Sequence, residues 1–420
     1  MFDGESVLAD HAVVVTGASV VEVVPRRDVP HGMPVTYEPA ATILPGLIDA
    51  HAHHMQWQPP LFLAHGVTTI RDVGNPLEWI LAERELMADE ACPTMLCVGP
   101  LLDGPAPLHP LVARSSADAE AAVAAVRETA EAGVDGIKLY TKLHPEWLPA
   151  MVAEAHSHGL KASMHCQQAG ALVAAEAGVD EFHHLDGLLV DIWPDRPPGW
   201  IEIWGDAEFS STADAQRRAA DRIAQAGMAA TPTLAYWHSQ WRIRAVDYSD
   251  ESDAAHVPPE MIAWQGRQAA DGPMADQWER ALGAAQRFTG LLVDRGVTVL
   301  AGSDVPCGAQ TPGLSLWREV SLLAQCGMSA IDALRAATSR AATFLARPEL
   351  GHLRAGSAAD LVVVRGDPTD RIPERPDIVS VVHGGRVYRP GDLIDQARAL
   401  APSVTDAPWS EQFKAHAPGQ

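Results

Sequence analysis

Residues 134–184 read VDGIKLYTKLHPEWLPAMVAEAHSHGLKASMHCQQAGALVAAEAGVDEFHH. This stretch holds three short apolar runs that end in a polar residue, at Val134–Tyr140, Leu160–His165 and Val179–His184, with alanine-rich segments of helical pattern between them. Each run follows a glycine, the residue at which helices often end in a left-handed cap. The alternation predicts right-handed βαβ units and a parallel sheet.

The same unit recurs along most of the chain. The other runs of this kind are Ile43–His51, Val67–Asp72, Thr94–Gly99, Met228–Leu234 and Val297–Asp304. Eight runs predict an α/β fold of the (β/α)8 TIM-barrel type. An open doubly wound sheet is the alternative from pattern alone, but no Gly-x-Gly-x-x-Gly turn follows any of these runs.

The two chain ends have a different pattern. Leu8–Val24 and Asp360–Val387 are rich in valine and short turns, which is typical of antiparallel strands that need a partner sheet. We therefore predict a small β-sandwich formed by residues 1–45 and 346–400, a barrel over 46–345, and a loosely held tail over 401–420.

Composition limits the classes of function. The 420 residues are 47% hydrophobic and carry 31 Lys and Arg against 54 Asp and Glu, a net charge of −23 that disfavours nucleic acid and anionic membranes as partners. No signal peptide or spanning segment is readable, and the five cysteines show no Cys-x-x-Cys spacing, so a cytoplasmic location with reduced thiols is expected. The expected partner is a small-molecule substrate, and a homo-oligomer is left open.

Ionisable residues are concentrated at the ends of the predicted barrel strands, where barrel enzymes carry their active sites. They are His51, His53, Lys138, His165, His183, His184 and Asp304. Any one of them has an ordinary structural explanation, such as a hydrogen-bonded core histidine or an aspartate that caps a helix. Their joint occurrence favours a metal site.

Three of these residues are the most informative about the chemistry. His51 and His53 are two residues apart on a strand, so both side chains point to one side and can bind one ion of the zinc type. Lys138 lies within an apolar strand, where an unpaired ammonium would cost several kcal/mol. Either Lys138 pairs with Asp135 or Asp304, or its amine loses a proton, adds carbon dioxide and becomes a carbamate that bridges two metals.

Four motifs resemble the metal-site motifs of the amidohydrolase superfamily. They are ILPGLIDAHAH at 43–53, IKLY at 137–140, HHL at 183–185 and AGSD at 301–304, and the segment Gly351–Val387 is similar to the superfamily's C-terminal sandwich strands. The resemblance covers nearly the whole chain and is closest to the imidazolonepropionase-like and metal-dependent prolidase branch. Because the chain begins at what resembles the second half of the first sandwich strand, a late start is expected.

The resemblance implies a ligand set for two divalent metals, expected to be zinc. It assigns His51, His53 and Asp304 to one metal, His165 and His184 to the other, and an N6-carboxylysine at Lys138 between them. His183 stands where relatives usually carry an acid, so His183 and His184 both remain candidates for the ligand of this strand.

The implied function is that of a binuclear metal-dependent amidohydrolase. A metal-bridged hydroxide would attack the carbonyl of a peptide-like amide, an N-acyl amino acid or a cyclic amide, with Asp304 as the proton carrier. The alternatives are a mononuclear deaminase, a lactonase or esterase on the same barrel, and a catalytically silent barrel scaffold.

Aromatic residues in the segments after strands 6 and 7 are candidates for the substrate pocket. The predicted substrate residues are Tyr140, Tyr236, Trp237 and His238, and we expect an aromatic or bulky apolar group beside the scissile amide. The competing interpretation is that these tryptophans pack helices onto the barrel.

Overall fold

The computed structural model describes residues 1–88, 91–195, 204–206, 209, 212–245, 257–270, 274–308, 310–400 and 408. It is a mixed α/β protein in which short parallel strands alternate with helices. The predicted tail over 401–420 lies outside the described residues except for Pro408.

The first half of the chain contains most of the parallel strands. Its elements are β1 His11–Thr16, β2 Ser19–Pro25, β3 Ala41–Pro45, β4 Leu47–Ala52, α1 Pro59–Ala64, β5 Val67–Asp72, α2 Leu77–Met87, β6 Thr94–Cys97, β7 Leu101–Asp103, β8 Ala113–Ser115, α3 Ala119–Glu131, β9 Ile137–Leu139, α4 Leu148–Ser157, β10 Ala162–His165, α5 Ala171–Glu176, β11 Glu181–His183 and α6 Leu188–Ile192.

The second half is richer in helices. Its elements are α7 Ala213–Ala226, β12 Ala229–Thr231, α8 Leu234–Ala245, α9 Pro259–Ala270, α10 Ala275–Asp294, α11 Leu314–Gln325, α12 Ala330–Ala336, α13 Ser339–Phe344, β13 Leu361–Arg365, β14 Ile378–His383, β15 Arg386–Tyr388 and α14 Pro390–Leu400. None of the helices in the described ranges is long and apolar enough to cross a bilayer.

Two parallel sheets form the centre of the molecule. One has the strand order β12-β11-β10-β9-β7-β8 and the other β4-β5-β6, so the predicted parallel sheet is present. The amide of Asp135, just before β9, donates to the carbonyl of Cys97 at the end of β6, at 2.7 Å. The amide of Tyr140, just after β9, donates to the carbonyl of Leu102 in β7, at 2.9 Å. The carboxyl ends of β4, β10 and β11 thereby face the same side of the molecule.

The eighth predicted run, Val297–Asp304, contains no strand. It instead makes isolated parallel bridges, Val299 with Ala230 and Val305 with Ala52, and so contacts both the last and the first parallel strand. Its end departs from strand geometry because Asp304 has a φ of +60°, a left-handed conformation that breaks the ladder. Closure of a barrel at this point stays a prediction.

The first predicted run also needs correction, since Ile43–His51 is two strands and not one. The chain leaves an antiparallel sheet at Pro45 and enters a parallel sheet at Leu47. Gly46 permits this close passage, because a Cβ there would lie 2.1 Å from the hydroxyl of Thr68.

The two chain ends form antiparallel sheets, as predicted from their valine-rich pattern. One sheet is the β1-β2 hairpin and the other has the order β15-β14-β13-β3. They share a hydrophobic cluster around Val20, Leu353 and Leu361, and Ser19 bridges to Ala358. That they form a separate sandwich domain stays a prediction.

A pair of adjacent glycines provides a test of this packing. Gly384 and Gly385 both have positive φ, but only at Gly385 would a Cβ meet a neighbour, the carbonyl oxygen of Gly17 at 1.8 Å. We expect Gly385→Ala to unfold at a lower temperature than Gly384→Ala, by a difference of roughly 1–3 kcal/mol in the free energy of unfolding. Thermal melts of both variants measure this, and equal losses would mean that the β1-β2 turn does not press on Gly385.

Candidate metal centre

Two predicted histidine ligands lie close to one carboxylate oxygen of a third predicted ligand, Asp304. Oδ1 of Asp304 lies 3.1 Å from Nε2 of His51 and 3.3 Å from Nε2 of His53. All three side chains are buried, and the amide of Asp304 donates to the carbonyl of His51 at 2.8 Å. The backbone thus holds the end of the eighth run against the end of β4, as the strand-end positions predicted.

The imidazole of His51 is in the right state to bind a metal. Burial, followed by the neighbouring His183, lowers its pKa well below the usual value, so the ring is neutral and one nitrogen carries a lone pair. Among the described residues neither ring nitrogen of His51 has a hydrogen-bond partner, although the ring is only 1% exposed. A buried polar group of this kind needs compensation, and a cation would supply it.

His184, rather than His183, faces this group. Single ligand atoms of His51, His184 and Asp304 all lie within 4.8 Å of one another. The hydroxyl of Thr233 donates to the carbonyl of Pro232 at 2.8 Å, so its oxygen must accept the 2.7 Å hydrogen bond from Nδ1–H of His184. This leaves Nε2 of His184 with its lone pair, the tautomer that a metal ligand requires.

His165 has a comparable support on the other side of the site. Its Nε2 lies 2.9 Å from a carboxylate oxygen of Asp186, which also accepts from Nε2 of Gln167 at 2.9 Å. Nδ1 of His165 has no hydrogen-bond partner in the described part of the chain, and its ring centroid is 4.5 Å from that of His184. A carboxylate that accepts from one imidazole nitrogen prepares the other for a metal.

Lys138 belongs to a buried chain of charged groups beneath these ligands. Its Nζ contacts Nδ1 of His183, whose Nε2 lies 3.1 Å from Glu181 and 3.2 Å from Arg71. Arg71 donates to both oxygens of Glu181, at 2.9 and 2.7 Å, and to the carbonyl of Ala50. Burial lowers the pKa of Lys138 to about 7, so a large part of the amine is neutral near neutral pH.

The ion-pair explanation of Lys138 is therefore wrong. Asp135 pairs with Arg84 at 3.3 Å and Arg347 at 2.5 Å, and no carboxylate of the described residues lies within ion-pair distance of Lys138. Because Lys138 is only 1% exposed and no carboxylate of the described ranges pairs with its amine, a chemical change that turns the amine into an anion stays open as a prediction.

The predicted substrate residues take different positions. The ring of Tyr140 lies 5.3 Å edge-on from His165, and Tyr236 carries a phenol whose pKa is raised by burial and then by the nearby Cys307. Trp237 is 1% exposed in the main hydrophobic core, 5.6 Å from the ring of Trp204.

His238 lies beside Trp241, with ring centroids 5.3 Å apart. Burial, followed by the charge of Arg318, lowers the pKa of His238 to about 3, so its ring is neutral. Direct substrate contacts by any of the four residues stay predictions. Of the other tryptophans of these segments, Trp200 lies outside the described residues and Trp278 is buried in the core.

Comparisons with known proteins give a family match over part of the chain and a shared fold. The sequence model of the Amidohydrolase family matches residues 281–390. The structure is similar to a putative prolidase from Bifidobacterium longum, with a TM-score of 0.67, 23% identity and coverage of 96% of this chain and 97% of that one. It is also similar to a bottromycin amidohydrolase, with a TM-score of 0.72, 23% identity and coverage of 95% and 87%.

Residues 281–390 thus match the Amidohydrolase family, and the fold is shared with structures of a putative prolidase and an amidohydrolase. A relative of similar length is an uncharacterized protein of Mycobacterium tuberculosis (strain ATCC 25618 / H37Rv), 27% identical over 377 residues that cover 83% of this chain and 85% of the relative. The prolidase-like branch expected from the motifs stays a prediction.

Sequence reasoning missed three polar residues of the site. Thr233 and Asp186 support histidines from outside the strands, and their distances along the chain from those histidines, 49 and 21 residues, give no local signal. Cys307 did have a signal, since it follows Asp304 by three residues in the turn after the eighth run.

The contact between Thr233 and His184 gives a prediction about metal affinity. Thr233→Val keeps the volume and the β-branch but removes the oxygen that accepts from His184, so we expect metal binding to weaken by about 10–100-fold, the usual effect of losing such a partner. Thr233→Ser keeps the hydroxyl and should bind within a few-fold of the parent. Competition with a chromogenic chelator measures both, and an unchanged Kd in Thr233→Val would contradict the assigned tautomer.

Proposed function

We propose that the protein hydrolyses the C–N bond of a peptide-like amide, an N-acyl amino acid or a cyclic amide at a centre of two divalent metals. The observation that carries the proposal is the set of buried imidazoles and one carboxylate at the ends of neighbouring strands. Nitrogen and oxygen donors of this kind suit zinc or a similar ion. The family assignment supports hydrolysis of C–N bonds.

We also infer that the two parallel sheets belong to one closed (β/α)8 barrel. The hydrogen bonds across Asp135 and the bridges at Val299 and Val305 join the sheets on both sides. A barrel would bring the strand ends into one ring, which is the arrangement that the ligand distances need.

The proposed division of the residues between two ions follows the motifs. His51, His53 and Asp304 would hold one ion, and His165 and His184 the other. When bound, such ions lower the pKa of water to around 7 and polarise the substrate carbonyl.

Asp304 is the residue placed to move a proton. Its carboxylate is 6% exposed and faces two imidazoles, so a proton that it takes from the attacking water is shielded from solvent. The same group can then deliver that proton to the leaving nitrogen, which completes the cleavage of the amide.

Lys138 is proposed to act as a carbamate. The neutral amine adds carbon dioxide at Nζ and loses one proton, which gives an anion on a strand that lies next to β10. His183, which contacts Nζ and is itself held by Glu181 and Arg71, would orient the modified side chain.

The function is tested by a hydrolysis screen of N-acyl amino acids and dipeptides, with aromatic and small aliphatic members, on metal-reconstituted protein. Asp304→Asn should lower turnover on the best substrate by roughly 100-fold or more, as expected for a lost general base. Metal content is measured on the same samples, because Asp304 is also a proposed ligand. Normal turnover in Asp304→Asn, with metal retained, would contradict its role.

A second prediction separates one metal from two. The parent should hold close to two divalent ions per chain, whereas Lys138→Ala should hold fewer and lose activity, with partial rescue by short carboxylic acids. Lys161→Ala is the control, because Lys161 is half exposed and lies near Asp180 on the surface. Elemental analysis of all three proteins measures the number of metal ions per chain. One ion per chain in a fully active parent would favour the mononuclear alternative.

A further inference from the structure

Cys307 lies at the metal centre but has no part in the reaction proposed above. Its amide donates to the carbonyl of Asp304 at 2.9 Å, which closes the turn after the eighth run. A ring nitrogen of His53, a carboxylate oxygen of Asp304 and Sγ of Cys307 all lie within 4.8 Å of one another. The thiol therefore faces the same space as two proposed ligands.

The surroundings of Cys307 point to a cation rather than to packing. Oδ1 of Asp304 lies 3.3 Å from Nε2 of His53 and 3.1 Å from Nε2 of the buried His51. Within the described ranges, the ring nitrogens of His51 make no hydrogen bond, so the short contact with Asp304 is not one. Two groups of candidate ligands, one with His184 and one with Cys307, thus meet at a single carboxylate. An ion bound by the second group would receive nitrogen, oxygen and sulfur donors.

We propose that Cys307 is a thiolate ligand to the divalent cation held by His53 and Asp304, and that it makes this position selective for thiophilic ions such as zinc and cadmium. The inference rests on the proposed metal centre. Imidazole and carboxylate ligands accept many divalent ions, whereas a thiolate favours soft ones over magnesium or manganese. The sulfur would therefore decide which metal the site retains.

Binding through sulfur is an exchange of a proton for a metal. The S–H bond of Cys307 breaks, an Sγ–metal bond forms, and the proton leaves to solvent, so no oxidant or reductant is needed. Each ion bound at this position should release one more proton from the protein with Cys307 than from a protein with serine there.

The chain offers a matched control in Cys326. Cys307 and Cys326 are the two partly exposed thiols, whereas Cys92, Cys97 and Cys166 are buried. Cys326 caps the C-terminal end of α11, and its carbonyl oxygen lies close to Gly290 of α10. Cys307→Ser and Cys326→Ser thus change equivalent thiols at different places.

The test is a titration of the metal-free protein with cadmium and, separately, with manganese. We expect cadmium to produce thiolate-to-metal charge-transfer absorption in the parent and in Cys326→Ser but not in Cys307→Ser. Cadmium affinity should fall by at least about tenfold in Cys307→Ser, the lower end of what a lost partner costs a metal site. Manganese affinity should stay the same, which also shows that the variant is folded.

A second measurement needs no variant. In the parent, cadmium should stop the slow alkylation of Cys307 by iodoacetamide and leave the rate at Cys326 unchanged, as measured by peptide mass spectrometry. Charge-transfer absorption that persists in Cys307→Ser, or alkylation of Cys307 at saturating cadmium, would overturn the proposal. If cadmium binds the parent without this absorption, the role of Cys307 is contradicted but the proposed metal centre is not. If neither cadmium nor manganese binds, both the role of Cys307 and the proposed metal centre are contradicted.

Discussion

The carboxylate of Asp304 is placed where an isolated anion would be unfavourable, against two imidazoles in a buried space. The backbone fixes it there, because Asp304 adopts a left-handed conformation and its amide donates to His51. A φ of +60° is strained for a residue with a side chain, and such strain persists only where surrounding contacts enforce it. His51, His53 and His184 lie around the carboxylate that this constraint positions.

Below that point, charge is buried in a continuous network. Arg71 and Glu181 form an ion pair whose side chains are at most 6% exposed, and both also contact His183. Removing one member of such a pair would leave the other as an unpaired buried charge, which commonly costs about 3–5 kcal/mol. Because Arg71 lies on β5 and Glu181 on β11, this cost also favours the arrangement that brings these two strands close together. Lys138 is held at its end, with a neighbour that is a histidine and not an acid.

The side of the site next to His184 depends on how α8 begins. A buried carboxylate, Glu319 of α11, accepts from the amide of Ala235 at 2.6 Å, and burial raises its pKa to about 8. The hydrogen bond from Ala235 to Glu319 anchors the first turn of α8. This turn directly follows Thr233, whose hydroxyl is hydrogen-bonded to His184. The helix that carries Tyr236 and Trp237 is thus tied both to a neighbouring helix and to a proposed metal ligand.

The sequence by itself determined the parallel α/β pattern, the antiparallel strands at both chain ends and the ligand candidates at strand ends, because alternation of apolar runs and glycine-capped helices is a local property. It could not separate β3 from β4 across Gly46, or choose between His183 and His184, because both choices depend on contacts between residues far apart in the chain. Only the tertiary structure placed Thr233, Asp186 and Cys307 at the site. A hydrogen bond between residues 49 positions apart gives no periodic pattern in a sequence. A tryptophan that packs in the core also has the same neighbours in sequence as one that lines a pocket.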